Sequence, residues 1–458
     1  MAHSPLHCWP AAALLACTGC ATVHTPYAPP RIATAPQWTG GAAANTADAT
    51  GGRWWTSFGD PALDTLVERV LANNADLAAA GITLRKARLA AQLAARQRVP
   101  DIGASAGSGY SRTLGDQPTG TESATGSLSV AWEADLFGKL AAQRDSARWE
   151  EQATAQDLAA TRLSLIASTA KYYWQLGYAS ESVAVGAQSL AYARRVRDLV
   201  ELQYRAGAVS RVELLDAEQS VSAQEASQTQ LVQSVAAARN ALAALLGQQV
   251  YDGPAPDHLP RATLPAVDAG LPATLLSRRP DLAAAELRLR GTLADVDATR
   301  ASYYPQLSLT GALGTASAAL LNVLSNPVAS LSGALSIATL DPARIRLNIG
   351  VSRATYDAAV QRFRQDMVNA LRDVETALSA RQHYLDQGAA LERSFAEASA
   401  AERLYERQYR AGGIGLRAWL DAQERRRSAE NALLSNRLAR LTEQVTLYEA
   451  LGGDAAPG

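Results

Sequence analysis

Cysteine is missing from everything beyond position 20: the 3 cysteines are Cys8, Cys17 and Cys20. That excludes a disulfide framework, a thiolate metal site and a cysteine nucleophile from the body of the chain. Bulky core formers are scarce too, with 4 Phe and 2 Met in 458 residues and 6% aromatics. The apolar 48% is mostly Ala, Leu and Val, small side chains that suit thin, closely approaching helices better than one broad core. Charge of one sign is not in excess, since 43 Lys and Arg stand against 44 Asp and Glu, so a bulk cationic nucleic-acid binder is ruled out. His258 and His383 are isolated, without metal-ligand spacing, and there is no G-x-x-x-x-G-K phosphate loop. An enzyme, a metal site or a cofactor site is therefore not expected.

Residues 301–340 lack any charged side chain, and a transmembrane helix is the first candidate for such a run. Gly311, Gly314, Pro327, Gly333 and repeated Ser and Thr argue instead for two strands joined by an outer loop around 322–326.

What is present begins with Ala11-Ala-Ala-Leu-Leu-Ala-Cys-Thr-Gly-Cys20, a short apolar run ending in small residues before a cysteine. It resembles the bacterial lipobox, in which the cysteine is diacylated and becomes the mature N-terminus. Cys20 is the expected lipidation site because Gly19 precedes it; Cys17, in Leu14-Leu15-Ala16-Cys17, is the competing one. Two or more acyl chains give a stable anchor. Ala21 at the next position implies, by the same resemblance, sorting to the outer membrane.

The chain also repeats itself. Asp76-Leu-Ala-Ala-Ala80 recurs as Asp281-Leu-Ala-Ala-Ala285, a separation of 205 from 76 to 281. Pro100 recurs as Pro305, Tyr204-Arg-Ala-Gly207 as Tyr409-Arg-Ala-Gly412, and Leu215-Asp-Ala-Glu218 as Leu420-Asp-Ala-Gln423, all at the same separation. One offset held over so long a stretch indicates a tandem duplication. The expected organisation is a signal peptide at 1–19, a lipidated extended segment at 20–60, a first repeat at 61–250, a Pro-rich linker at 251–270, a second repeat at 271–451 and a tail at 452–458.

Each copy has the same order. A helix is expected at 62–98 and again at about 272–304, the first capped by Asp60 with Pro61 in its first turn. Two strands follow. In Leu128-Ser-Val-Ala-Trp-Glu-Ala-Asp-Leu136 the apolar residues share one face, with Ser129, Glu133 and Asp135 on the other, and Leu307-Ser-Leu-Thr-Gly-Ala-Leu313 alternates likewise. Strands of about ten residues span a bilayer when tilted. Trp132 and Tyr110 suit either the membrane interface or packing against helices. Very long helices are then expected at 138–205 and 343–410, each roughly 100 Å at about 1.5 Å per residue, followed by the Tyr-Arg-Ala-Gly turns and shorter helices at 209–246 and 416–451. Gly207 and Gly412 suit left-handed helix termination.

Four strands cannot close a membrane barrel, because open edges leave backbone groups unpaired in lipid. Single-chain barrels start at about eight strands, so copies must share one barrel, and three copies give a conducting lumen. The fold class is mainly α with a small β part: a trimeric 12-stranded barrel continued by a long helical one.

The sequence further resembles the TolC-like outer-membrane efflux channels, in the lipoprotein branch typified by OprM. The matching pieces are Trp54-Trp55-x-x-Phe58-x-Asp60-Pro61-x-Leu63, Trp132-Glu-x-Asp-Leu-Phe-Gly138, Arg278-Arg-Pro-Asp-Leu282 with Glu286, Tyr304-Pro-x-Leu-Ser-Leu-Thr-Gly311, both Tyr-Arg-Ala-Gly turns and Leu451-Gly-Gly453. They cover nearly the whole mature chain. Thr339-Leu-Asp-Pro-Ala-Arg344 departs, standing where the family usually has Phe-Asp-Gly-Gly.

The resemblance implies a homotrimer anchored by lipid in the outer membrane of a Gram-negative bacterium, with a periplasmic tunnel. It also implies docking by a periplasmic adaptor (membrane-fusion) protein and an inner-membrane pump of the resistance-nodulation-division (RND) type. Such a channel passively conducts drugs or other small molecules; a type I protein-secretion duct and a lipid-anchored periplasmic scaffold are the alternatives. By the same resemblance the adaptor meets the two tips, Tyr204, Arg205, Ala206 and Gly207, and Tyr409, Arg410, Ala411, Gly412 and Gly413. The periplasmic aperture is assigned to Asp421 with Arg417, and to Glu213 and Asp216 in the first copy; three Asp421 would form a cation-favouring ring. An Arg417–Asp421 pair one turn apart is the structural alternative.

Overall fold

The computed structural model describes residues 23–33, 35–39, 53–114, 118–261, 264–265, 267, 272, 278–317 and 327–453. The lipidation candidates Cys17 and Cys20 and the loop expected around 322–326 lie outside these residues. The elements, in order, are helices α1 (Pro61–Asn73) and α2 (Ala75–Arg96), strands β1 (Asp101–Arg112) and β2 (Gly120–Ala134), and helices α3 (Lys139–Arg205) and α4 (Arg211–Leu245). The second copy supplies α5 (Pro280–Ala301), β3 (Gln306–Ser317), β4 (Pro327–Ser336), α6 (Pro342–Arg410) and α7 (Leu416–Ala450). The duplication is written into the backbone: α2 and α5, β1 and β3, and α4 and α7 begin 205 positions apart, from 75 to 280, 101 to 306 and 211 to 416.

The expected helix at 62–98 is divided. Asn74 is extended, with φ −69° and ψ 127°. Its Oδ1 accepts from the Leu77 amide at 3.0 Å, so it caps α2, while its Nδ2 donates to the Leu245 carbonyl at 2.9 Å. A residue whose side chain serves the next helix's free amides ends one helix and starts another. In the second copy the described helix starts at Pro280, and 273–277 fall outside the described residues.

The chain forms two compact units. One contains the strands, drawing on Ile82–Gln156, Ala283–Gln365 and the segment up to Ile32. Its sheet is antiparallel throughout, in the order β1-β2-β3-β4. Register places Ile102 opposite Val130, Leu128 opposite Leu313, Trp132 opposite Leu309 and Leu307 opposite Leu335 on one face. The other face carries Ser and Thr, including a Ser105–Ser127 hydroxyl pair at 2.8 Å. The apolar face is bare in the chain alone, with Leu331 85% and Ile102 70% exposed. Trp132 donates its ring N–H to the Arg98 carbonyl at 3.1 Å, so it ties the sheet to the end of the preceding helical stretch, while Tyr110 is exposed.

The two strand-to-helix exits differ as their sequences do. Asp135 accepts from the Leu140 and Ala141 amides at 3.0 and 2.7 Å, across a turn with Gly138 at φ 82°. Asp341 accepts from Ala343 and Arg344 at 2.9 and 3.2 Å, with Pro342 opening α6. An aspartate cap survives in both, and proline at the first helical position replaces the glycine turn. The N-terminal segment is pinned within this unit: the Thr25 amide and hydroxyl both donate to the Asp297 carboxylate at 2.6 Å, Asp297 is 2% exposed, and Arg300 reaches the Thr25 hydroxyl at 2.9 Å.

The other unit comprises Ala33–Gly81, Asp157–Leu282 and Asp366–Gly458. Motifs far apart in sequence converge in it. Trp54 stacks on Tyr448 with centroids 4.8 Å apart, and Phe58 meets Trp174 edge-on at 4.6 Å. Gly452 and Gly453 have φ of 86° and 70°; a Cβ on Gly452 would strike the Arg278 carbonyl, and one on Gly453 would press on Trp54. Arg279 grips Asp281 in a two-pronged pair at 2.7 and 3.0 Å and also reaches the Ala450 carbonyl at 3.4 Å. The glycines thus keep the closing turn thin enough to seat against the aromatic cluster and the Arg278–Asp281 corner.

Candidate functional site

The candidate site is the pair of turns that end the long helices, together with the first turns of α4 and α7. Both turns close by the same bonds. In the first, Gly207 N–H donates to the Tyr204 carbonyl at 3.0 Å and Ala208 N–H to the Gln203 carbonyl at 2.9 Å. In the second, Gly412 donates to Tyr409 and Gly413 to Gln408, both at 2.9 Å. Gly207 and Gly412 sit at φ 73° and 75° with open space around them, so left-handed backbone, and not crowding, selects glycine. Arg205, Ala206, Gly207, Arg410, Ala411, Gly412 and Gly413 are all exposed. Each arginine is held by a glutamate one turn back, Arg205 by Glu201 and Arg410 by Glu406.

The tyrosines part company. Tyr204 is exposed, with the Arg211 guanidinium 5.9 Å from its ring centre. Tyr409 is buried and donates its hydroxyl to Gln203 Oε1 at 2.6 Å. It belongs to a core of Val196, Val200, Leu214, Ala217, Leu416 and Trp419. Trp419 stacks on Tyr409 at 5.1 Å, meets Tyr192 edge-on at 6.1 Å, and donates its ring N–H to Glu402 Oε1 at 3.3 Å. Tyr192 donates to the same oxygen at 2.6 Å. Burial and the bond to Glu402 push the Tyr192 hydroxyl well above the usual phenol range; burial, with the Glu213 charge nearby, raises that of Tyr409.

Of the aperture residues, Arg417 and Asp421 are exposed one turn apart on α7. Neither forms an ion pair among the described residues, so the intrahelical pair that would account for both is not made. Asp216 is half-buried. Glu213 serves the start of α4: its amide donates to Ser210 Oγ at 3.3 Å and its carboxylate accepts from the Ser210 amide at 3.2 Å, a capping box. Tyr192, Gln203 and Glu402 were not expected at the tip. The signal that pointed toward them was Trp419, a large aromatic among otherwise small and aliphatic positions.

Among the described residues no group of acidic, histidine or cysteine side chains is arranged to hold a metal, and no helix is long and apolar enough to cross a membrane. The duplication finds its counterpart in known proteins. A family model described as outer membrane efflux protein matches residues 66–248 and again 271–453, the second match 205 positions after the first. The chain belongs to the outer membrane efflux protein family. It is 31% identical to the pyoverdine export outer membrane protein OpmQ of Pseudomonas putida, over 96% of this chain and 95% of that one. Among solved structures it matches the outer-membrane channel OprN with a TM-score of 0.81 at 30% identity, covering 93% of this chain and 99% of OprN. The open state of the Neisseria gonorrhoeae MtrE outer membrane channel matches with a TM-score of 0.84 at 27% identity, over 95% and 98%. The protein is an outer-membrane efflux channel subunit and not an enzyme.

Proposed function

We propose that three copies of this chain join their sheets into one twelve-stranded barrel that conducts small molecules passively out of the cell, fed by an inner-membrane RND-type pump through a periplasmic adaptor docked on the two tips. The observation that carries this reading is the sheet. Among the described residues strands β1 and β4 each pair on one side only, and the face bearing Ile102, Leu128, Leu309, Leu331 and Leu335 is bare. In lipid such a face is at home and such edges are not, since every unpaired backbone group costs several kcal/mol. Pairing β4 of one copy with β1 of the next removes both edges.

Lipid attachment at Cys20 fits the same arrangement, because the segment that follows is tied down from Thr25 onward. Asp421, exposed on α7 and without an ion pair among the described residues, is the residue suited to a charged ring at the periplasmic aperture, to which Arg417, Asp216 and Glu213 would also belong. The pyoverdine export named for OpmQ accords with export of small molecules, with selection left to the pump. The test is purification from membranes in mild detergent, with light scattering and planar-bilayer recording. A mass near three chains with ion conductance upholds the reading; a non-conducting monomer overturns it.

A further inference from the structure

The Pro-rich stretch between α4 and α5 meets α7 at a cluster of arginines. Arg261, Leu264, Glu392, Arg437, Arg440 and Leu441 line one pocket, and all of them belong to the unit without the strands. On α7, positions 437, 440 and 444 share one helical face. Gln444 is fully buried and ties the stretch down: its Nε2 donates to the Pro265 carbonyl at 2.9 Å, and its Oε1 accepts from Arg381 Nε at 2.9 Å. Arg381 Nη2 reaches the same carbonyl at 3.4 Å. That corner satisfies itself, and the arginines beside it are left out.

Arg437 and Arg440 are half-buried. Neither forms an ion pair among the described residues, although Glu392 lines the same pocket. Arg440 Nε is buried without a hydrogen-bond partner, and a buried donor without an acceptor is costly. Earlier on α7, by contrast, Arg426 pairs with Glu430, Arg427 with Glu424, and Arg425 lies over the Tyr405 ring. Arg261 adds a third guanidinium to the pocket, and its ion pair with Glu181 spans 3.9 Å. Three cations therefore converge where one carboxylate stands.

The first copy has none of this. The positions 205 earlier are Val232 for Arg437, Val235 for Arg440 and Ala187 for Glu392. Behind the pocket, Gly388 of α6 stands where the first copy has Val183, and Asn436 where it has Leu231. A Cβ on Gly388 would strike Asn436 Oδ1 at 2.8 Å and meet Arg440 Nη1 at 3.5 Å. Two valines on such a face make ordinary helix packing. Two arginines, with a glycine clearing space for one of them, make a recess for a negative group.

We propose that this pocket binds a small multivalent oxyanion, of the phosphate or polycarboxylate class, held by Arg437, Arg440 and Arg261. The planar guanidinium presents parallel N–H donors matched to two oxygens of such a group, and Arg440 Nε gains the acceptor it lacks. Because Arg261 stands on the Pro-rich stretch, the anion braces that stretch against α7 by charge, beside the neutral tie at Pro265. Neither the strands nor the tips take part.

The experiment is calorimetric titration of inorganic phosphate, and separately of citrate, into the full-length protein in mild detergent, with ionic strength held constant by chloride. Amide hydrogen exchange with and without the anion then locates the effect. Saturable binding of either anion is expected at one site per chain, and at roughly ten times the dissociation constant exchange at Arg261 and Leu264 should slow by about tenfold. Arg437→Val combined with Arg440→Val, which installs the residues of the first copy, is expected to weaken binding by at least about tenfold. Arg440→Lys keeps the charge and loses the fork, so it should weaken binding less. Arg353→Gln, at an exposed position of α6 outside the cluster, is the control expected to change nothing. If neither anion binds at millimolar concentration, the site is wrong. If the double variant binds as tightly as the unmodified protein, phosphate or citrate is an adventitious ion only, and the site is equally wrong. Should the double variant fail to fold, Arg437→Gln and Arg440→Gln, made singly, decide between the same outcomes.

Discussion

The first and second tips differ in what lies beneath an identical turn. Tyr-Arg-Ala-Gly closes both with the same carbonyl acceptors and the same left-handed glycine. Below the first, α4 starts with its own capping box, and Tyr204 leans outward near Arg211. Below the second, α7 starts at Gly415 with no side-chain cap, and its first turn is held instead by Trp419, Tyr409 and Glu402. One helix start is stabilised locally and is self-sufficient. The other depends on neighbouring helices. Duplication supplies two equal hairpins, and substitution at a few buried positions anchors one of them to its neighbours.

The strongest test of that contrast removes what the tips share. Gly207→Glu and Gly412→Glu each place a Cβ at positive φ, a strain of about 1–2 kcal/mol, and add bulk and charge where nothing lies within 4 Å. Both should abolish efflux in an accumulation assay while trimers persist. Full efflux from either would remove that tip from the adaptor surface. A smaller effect should separate the copies: Asp421→Ala is expected to raise conductance several-fold and weaken cation preference, and Asp216→Ala, on a half-buried side chain, to do less of both. Equal effects would make the starts of α4 and α7 equivalent and blunt the comparison.

Another pair of positions 205 apart, Asn74 and Arg279, divides the copies by chemistry. Asn74 caps a helix with a neutral amide, whereas Arg279 pairs with Asp281. Burial alone would raise the Asp281 carboxyl, but the hydrogen bonds and charge of Arg279 outweigh it and leave the pKa below the ordinary range. A folded value below the unfolded one, about 3.9, means the contribution is present above that pH and is lost as pH falls through the folded value. Thermal melts in detergent should therefore lose stability below about pH 4, and Asp281→Asn should flatten that part of the profile.

Much of this was legible in sequence because it is periodic or local. The constant separation of the repeats and, from single short stretches of chain, the alternation from Leu128 and the glycines after the long helices appear in the structure where the pattern puts them, except that the strand ends at Ala134 and Asp135 turns to cap the next helix. The break at Asn74 was not legible, since asparagine inside a helical pattern becomes a cap only when its amide finds a partner, here the Leu245 carbonyl. The burial of Tyr409 was hidden for a like reason. Its motif is identical to that of Tyr204, and what separates them is Trp419 against Leu214 and a carboxylate on another helix. Contacts between α3 and α6 join residues some two hundred positions apart, beyond any local pattern.

The smallest expected effect bears on whether the second helix start was left weak. Ser210 accepts from the Glu213 amide while Glu213 closes the box. Removing such a cap with Ser210→Ala costs about 1 kcal/mol, whereas serine in place of a glycine cap gains only a few tenths. Amide hydrogen exchange over the first turns of α4 and α7 measures both locally, where a melt of the whole trimer would average them away. Ser210→Ala should speed exchange in the first turn of α4 by roughly fivefold, the equivalent of about 1 kcal/mol. Gly415→Ser should slow exchange in α7 only slightly so long as Trp419 and Glu402 hold it, and more clearly once Glu402→Ala has released it. If Gly415→Ser protects the first turn of α7 equally with and without Glu402, that helix start is not relying on the buried cluster, and the two tips differ in appearance more than in mechanics.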